Sequence, residues 1–403
     1  MTEDGGIFRP RTICVVTGGR ADYGLLAALI KRLSAEPSVD LRLVATAGHF
    51  LTELGESWRE IERDGFRIDA KDDMLLASEN EAAIAKSTGL IVTSIADAFE
   101  RLAPDLIVLL GDRFETLGAA VAASCMRIPI AHLHGGEITA GAIDDAMRHA
   151  ISKLSHLHFV ATDEFAQRLM RMGEERHRIF TAGAIGLDII SDFEPPSRRD
   201  WLAAQELDEN RKFLVATVHP ETLSADSPEF LIDAVLLAFE ELYKEDRDIF
   251  VLFSGSNADS GGRLLNERIR TWATSRSDYA RFTEKFGQKP YLAAITHGAA
   301  VVGNSSSGII EAPYCGVPTV NIGNRQDGRP QAESIVNCPV DASAIKDAMV
   351  HAMNIHPKLE SIRRTHPYGG PGATKTIADI LASVELEELL NKSFADFGLD
   401  DDG

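Results

Sequence analysis

The sequence predicts an α/β protein of two successive open sheets with a cleft between them. Three observations lead there. Short apolar runs alternate with segments of helical spacing over short connections, the pattern of a parallel sheet covered on both faces. The alternation stops once, at Ser191–Asp200 (SDFEPPSRRD), where paired prolines and mixed charge mark a linker, and then restarts. Several apolar runs end in polar clusters, and ligands of open α/β sheets sit outside the C-terminal ends of the strands. A chain of 403 residues is long enough for two such domains, each with its own core.

Arg11–Thr17 (RTICVVT) reads as a buried strand, broken by Gly18-Gly19-Arg20-Ala21-Asp22-Tyr23-Gly24 before helical spacing over Leu25–Leu33. Strand, Gly-rich turn and helix open a Rossmann-like unit, although the dinucleotide fingerprint GxGxxG is absent. Leu41–Ala47 is the next strand, Thr52–Asp64 a helix, and Glu79–Leu102 a long helix ended by Pro104. Leu106–Leu110 and Ile128–Leu133 are strands on either side of a helix, Phe114–Met126. Asp144–Leu154 is a helix with two Asp in its first turn, followed by strand His156–Ala161, helix Asp163–Met172 and strand Arg178–Ala182. Beyond the linker come strands Phe213–Val218, Ile249–Phe253, Ala300–Gly303 and Thr319–Ile322. Helices are predicted at Ser227–Tyr243, Gly262–Thr274, Tyr291–His297, from Ile309 to Tyr314, and at Ala342–Ala352. Thr374–Leu390 is the last helix, and residues 391–403 read as a loose acidic tail.

A net charge of −20 argues against nucleic acid or an anionic membrane as partner. An anionic ligand must therefore be held by a local nest of amides with a few Arg or His. Cys14, Cys125, Cys315 and Cys338 are far apart, with no metal-like spacing, and read as reduced thiols of a cytoplasmic protein. No apolar run reaches the roughly 18 residues of a membrane span, and MTEDGGIFRPR lacks the core of a signal peptide.

The richest stretch is 105–149. One strand ends in Gly111-Asp112-Arg113-Phe114-Glu115, and the next carries His132, His134 and Gly135-Gly136-Glu137, with Asp144 and Asp145 close behind. Alone, Asp112 or Glu115 could simply pair with Arg113, and Asp144 and Asp145 could serve helix-start electrostatics with Arg148 and His149. Together, Asp112, His134, Glu137 and Asp144 converge on one crevice, where neighbouring carboxylates and imidazoles separate each other's pKa values for acid/base work. His219 ends a strand of the second half and faces the same cleft; a structural His before Pro220 is the alternative. In the second half Asn304-Ser305-Ser306-Ser307-Gly308 lies between strand and helix, so amides of a first helical turn and the hydroxyls can hold a phosphate; a plain Ser cap is the alternative. Glu311, one turn on, can accept from both hydroxyls of a ribose. Arg20 and Arg325 are candidate phosphate clamps, or ordinary surface arginines.

These stretches, TGGRADYGLL, LGDRFE, HLHGGEITAGAIDDAMRHAISKLSHLHF, TVHPET, GNSSSGIIEAP with PTVNIGNRQDGR, and HPYGGPGATKTI, together resemble the hydrolysing UDP-N-acetylglucosamine 2-epimerases of sialic-acid and legionaminic-acid pathways. The resemblance runs from Arg11 to about Leu381. It implies two Rossmann-like domains of the GT-B type, with a C-terminal helix crossing back to the first. Residues 1–190 plus the crossover helix at about 370–390 would form the catalytic domain, and 191–369 the UDP-binding domain. Arg20, Ser305, Ser306, Glu311 and Arg325 match positions that hold UDP; Arg113 and Gly308 are placed with this set, Asn257 matches a polar nucleotide contact, and Tyr291 an aromatic near the uracil. Asp112 and Asp144 match catalytic carboxylates, and His219 the cleft histidine. One position departs: the family often has H-x-E-G-G-E, and His134 stands at the central Glu, so that either His134 takes over a proton-transfer role or Glu137 supplies the carboxylate.

The implied reaction turns UDP-N-acetylglucosamine and water into N-acetylmannosamine and UDP. The C2 hydrogen is not acidic, so UDP leaves C1 first, a carboxylate removes the C2 proton to leave a 2-acetamidoglucal, and water then adds. No metal or cofactor is needed. The same chemistry on UDP-N,N'-diacetylbacillosamine is the nearest alternative; a non-hydrolysing epimerase, a GT-B glycosyltransferase and an inactive nucleotide-sugar sensor are others. The partner is a UDP-sugar, and the resemblance suggests a homodimer or homotetramer.

Overall fold

The computed structural model describes residues 9–52, 55–76, 80–140, 142–221, 227–256, 261–284, 286–355, 363 and 365–396. Its first half contains strands β1 (Arg11–Thr17), β2 (Val39–Thr46), β3 (Ala70–Asp72), β4 (Leu106–Leu110), β5 (Ile130–Leu133), β6 (Leu157–Val160) and β7 (Ile179–Thr181). They form one sheet in the order β3-β2-β1-β4-β5-β6-β7, and every pairing is parallel. The second half contains β8 (Lys212–Thr217), β9 (Ile249–Ser254), β10 (Ala280–Thr283), β11 (Ala300–Gly303), β12 (Thr319–Ile322) and β13 (Ile335–Cys338), ordered β10-β9-β8-β11-β12-β13 and again all parallel. Both sheets thus reverse strand order beside their first strand, and the crevice at that switch point is where a ligand binds.

Continuous apolar strands follow from cover on both faces. Ile13 and Val15 belong to one buried cluster and Cys14 and Val16 to another on the opposite face. Leu214 and Ala216 divide from Phe213 and Val215 in the same way. The edge strands β3, β10 and β13 were not predicted. Their sequences, AKD, ARFT and IVNC, lack the unbroken buried run of a central strand.

Other elements differ in extent. The helix expected over Thr52–Asp64 is confined to Trp58–Arg63, because Gly55 and Glu56 take positive φ ahead of it. The linker is shorter than expected: one helix runs to Asp192 and the next, capped by Ser197, starts at Arg198. Glu81–Leu102 is, among the described residues, long and apolar enough by hydropathy to cross a membrane, contrary to the sequence reading. It instead buries Ile91, Ile95 and Phe99 inside this fold.

The final helix, Ala373–Ser383, packs on helices Arg20–Ser34 and Ile185–Asp192 of the first half. Its start is capped by Asp188, whose carboxylate accepts from Gly372 N and, at 2.6 Å, from Thr374 N. Its end is held by Arg11, which donates to Leu381 O at 2.9 Å and Val384 O at 2.8 Å. Each charge has the sign that the helix dipole favours at that end. The tail expected to be loose is anchored as far as Ala395: Lys392 donates to Lys153 O at 2.5 Å and Ser155 O at 2.7 Å, and Ala395 N to Gly173 O at 3.0 Å.

Asp188→Ala leaves two N–H groups without their acceptor and should lower stability by about 1–3 kcal/mol. A fall in Tm read by circular dichroism checks this; an unchanged Tm would mean that the cap carries no stability.

Candidate active site

The C-terminal strand ends of the two sheets line a cleft of about 340 Å³. The second-half wall is built around Asn304. Its side chain accepts from His219 N at 2.7 Å and donates to His219 O at 2.9 Å, while its own carbonyl accepts from Arg325 Nη1 at 3.1 Å and Gln326 Nε2 at 2.7 Å. One residue, through its side-chain amide and its backbone carbonyl, therefore sets the end of β8, the end of β11 and the loop after β12. His219 Nδ1 lies 3.1 Å from Ser256 Oγ, and His219 lines the cleft. Asn257 lies outside the described residues.

Ser305, Ser306 and Ser307 line the cleft in a short 3₁₀ turn, and the helix that follows spans only Glu311–Tyr314. This corrects the expectation of a helical first turn with free amides. Gly308 N donates to Ser305 O at 3.1 Å, so the Gly308 amide is committed and the residue is buried outside the cleft lining. Ser305 is the cap of that turn and accepts from Ser307 N at 3.4 Å. Tyr291 OH bridges Thr217 Oγ1 at 3.1 Å and Ser307 Oγ at 2.8 Å, with its ring edge-on to Phe286. Glu311 presses against the first half: a Cβ at Gly186 would meet Glu311 Oε1 and oblige that carboxylate to move. Burial raises the Glu311 carboxyl to about 7, and its Oε2 has no hydrogen-bond partner.

On the first-half wall, Arg20 and Arg113 line the cleft. Arg20 Nε is 3.7 Å from Glu60, and Arg113 Nε pairs with Glu115 at 2.8 Å. Asp22, half-buried near Glu115, is raised to about 7 by desolvation and then by that neighbour. The sequence reading gave no role to Asp22 and offered Glu115 as a partner for Arg113, which it is; the proximity of the two carboxylates arises from the β1 and β4 ends meeting in space.

The acid/base candidates Asp112, His134, Glu137 and Asp144 are not among the residues that line the cleft; they gather around Arg148. Arg148, almost fully buried, has Asp112, Glu137, Asp144 and Asp145 around it. It pairs with Asp112, donates to His134 O at 2.7 Å and to Thr139 Oγ1 at 3.1 Å. The ion pair of Asp112 is thus with Arg148, while Arg113 takes Glu115. His134 has φ +60°, a left-handed conformation rare outside glycine, and its Nδ1 is 2.5 Å from Glu137 Oε1. Gly136, at φ +72°, lets the chain turn under it, where a Cβ would lie 2.6 Å from Phe165 O. Glu137 is 2% exposed. Burial alone would raise its pKa; His134 and Arg329 outweigh that and bring it to about 2. Asp144 opens its helix beside Arg148, whereas Asp145 is used to cap Thr139 N at 2.8 Å. His132 is turned into the sheet, bonded to Gly111 O at 2.7 Å and Ser152 Oγ at 3.1 Å.

Arg329 was missed by the sequence reading. It reaches from the second half to Ile138 O at 2.8 Å, Thr139 Oγ1 at 3.3 Å and Glu137 Oε2 at 3.3 Å. It stands in the quoted NRQDGR stretch, but nothing local in the sequence tells which surface it meets.

The UDP-N-acetylglucosamine 2-epimerase family model matches residues 31–382. The chain belongs to that family. It is 35% identical over 394 residues to the GDP/UDP-N,N'-diacetylbacillosamine 2-epimerase (hydrolyzing) of Campylobacter jejuni, covering 96% of this chain and 99% of the relative. It is 34% identical to the UDP-N,N'-diacetylbacillosamine 2-epimerase (hydrolyzing) of Legionella pneumophila, covering 95% and 98%. The fold of the UDP-GlcNAc 2-epimerase of Neisseria meningitidis, solved bound to UDP-GlcNAc, matches with a TM-score of 0.74 at 18% identity, over 92% of this chain and 99% of that one. Membership in the UDP-N-acetylglucosamine 2-epimerase family accounts for an enzyme with two parallel α/β sheets.

In this epimerase-family chain the raised pKa of Glu311 sets a pH dependence. Stability from the neutral carboxyl is complete below the ordinary carboxylate range and is lost as pH rises through about 7. Without ligand, Glu311→Gln should therefore raise Tm more at pH 8 than at pH 5. Equal shifts at the two pH values would show a solvated carboxyl.

Proposed function

We propose that the chain is a hydrolysing 2-epimerase that converts UDP-N-acetylglucosamine and water to N-acetylmannosamine and UDP, working in the cytoplasm as a homo-oligomer. The observation that carries this reading is the cleft itself. Hydroxyls and cations suited to a diphosphate line it, and a group of carboxylates and an imidazole gathers around Arg148 in the first half. Hydrolysis is supported by near full-length likeness to two relatives named as hydrolysing enzymes.

In this reading the nucleotide lies against the second half, residues 191–369, with Tyr291 near the base and Glu311 at the ribose. Asn257 belongs to the same set. Ser305, Ser306, Arg20, Arg113 and Arg325 stabilise charge growing on the departing diphosphate. The first half, residues 1–190 with the crossover at about 370–390, supplies the proton transfers. As C1–O breaks, the electron pair leaves with UDP. Asp112 or Asp144 takes the C2 proton, and the C–H pair forms the C1=C2 bond of the glucal. Protonation from the other face inverts C2 while water adds to C1. His134, Glu137 and His219 flank that chemistry. Contact between the halves keeps bulk water out until the glucal has formed.

A second reading changes only the sugar. UDP-N,N'-diacetylbacillosamine is favoured by the relatives at 35% and 34% identity. Incubating the protein with each UDP-sugar and identifying the products by NMR separates the two readings, and free sugar separates both from an equilibrium of UDP-sugars.

Turnover in D2O should place one deuterium at C2 of the free sugar; a product without label would remove the elimination route. Asp112→Asn should lower turnover by roughly two to four orders of magnitude, and a near-normal rate would leave Asp112 only its ion pair with Arg148. Glu311→Ala should weaken UDP binding in calorimetry while the fold survives; unchanged affinity would move the ribose contact elsewhere.

A further inference from the structure

An ionised Glu137 selects one tautomer of a neutral His134 ring. Glu137 is held ionised, and a carboxylate can only accept, so the imidazole nitrogen 2.5 Å from Glu137 Oε1 carries the hydrogen. In the neutral ring, Nε2 is then left with its lone pair. That atom is shut off from solvent and has no hydrogen-bond partner. The backbone holds the ring in place in a strained, left-handed conformation, with His134 N bonded to Phe159 O at 2.9 Å and His134 O to Arg148 at 2.7 Å. A buried acceptor kept bare by so many fixed contacts is made for a donor that arrives with the reaction. A C–H bond is a poor donor for it; the O–H of water is a good one.

We propose that His134 Nε2 activates the water that adds to C1 of the glucal, with Glu137 fixing the imidazole and Arg329 acting as the positioning residue that fixes Glu137. This rests on the hydrolysing reading above. In the step, the water oxygen bonds to C1 and one O–H bond breaks, its proton passing to Nε2. The C1=C2 pair moves to C2 and takes a proton from a carboxylic acid of the site. The imidazolium and the carboxylate then reset by proton exchange with solvent. Glu137 stabilises the imidazolium as it forms, in the manner of the carboxylate of a Ser-His-Asp triad.

Arg329 makes the device depend on both halves. It sits in the loop that also carries Arg325 and Gln326, both bonded to Asn304 O beside the nucleotide seat. Its guanidinium is 5% exposed and bonds to residues 137–139 of the other half. Loading of the nucleotide half and arming of the water base therefore share one loop. The water base is completed only where the halves meet, which holds hydrolysis back until the sugar is enclosed.

The test follows UDP and sugar products together in the full-length protein with a UDP-2-acetamido sugar, by phosphorus and proton NMR. His134→Asn suits the left-handed backbone. It should keep UDP release within about tenfold while formation of the saturated sugar falls by roughly two to three orders of magnitude. The vinylic proton of the 2-acetamidoglucal should then accumulate. Glu137→Gln and Arg329→Met should shift the ratio of glucal to sugar in the same direction, and Arg329→Lys should restore most of it. Melting temperatures identify a variant that is merely unfolded, since loss of fold lowers both products equally and leaves the ratio unchanged. If wild-type protein hydrolyses and every folded variant still yields sugar and UDP in equal amounts, the water-base assignment is overturned alone. If wild-type protein returns two UDP-sugars and no free sugar, the hydrolysing reading fails first and takes the assignment with it.

Discussion

The buried ion pair between Arg148 and Asp112 is the constraint around which the first-half site is arranged. A guanidinium removed from water is tolerable only if its charge is matched and its N–H groups are used. Here Asp112 supplies the charge, and His134 O and Thr139 Oγ1 accept further bonds, while Nε is left without an acceptor. Those partners lie at the end of β4, in the turn after β5 and in the loop before helix Asp144–Leu154. One cation therefore sets the relative positions of three separate chain segments. Asp112 is consequently both a candidate reagent and a support.

The same economy holds on the other wall, with neutral groups. Asn304 joins two strand ends and one loop through four hydrogen bonds, and the loop passes on to Arg329. The halves then meet through polar contacts at several points, including Gln288 Nε2 on Gly24 O at 2.5 Å and Arg329 on residues 137–139. An apolar cluster joins them as well, with Ile309 and Ile310, next to Glu311 of the cleft proposed for a charged nucleotide, packing with Phe165 and Leu187. The overall charge of −20 opposes such a ligand at a distance, so Arg20, Arg113 and Arg325 lining the cleft have to act locally.

Central strands were legible because burial on both faces writes an unbroken apolar run. Arg11–Thr17, Leu106–Leu110, Ala300–Gly303 and Thr319–Ile322 were read with the bounds they have. The edge strand Ala70–Asp72 carries two charges in three residues and leaves no such trace. In the site, Asp112, His134 and Glu137 could be read because they follow directly on strand ends. Their pairing could not, since the partner of Asp112 is 36 residues away and Arg329 meets Ile138 across 191. Gly308 misled for a local reason: the free amide expected of a helix start is consumed by a 3₁₀ turn.

The C-terminal segment closes on the beginning of the chain. Arg11 holds the end of helix Ala373–Ser383, Asp188 its start, and Lys392 reaches Glu174, whose side chain is wholly buried. During synthesis the first sheet emerges long before these partners exist. It must wait on the ribosome with a hydrophobic helix surface uncovered and a buried carboxylate short of one of its cations, while the strands of the second sheet, β8 to β13, are contiguous in sequence. Vectorial folding from the N-terminus is therefore reversed here: the half that is made first is the half that is completed last.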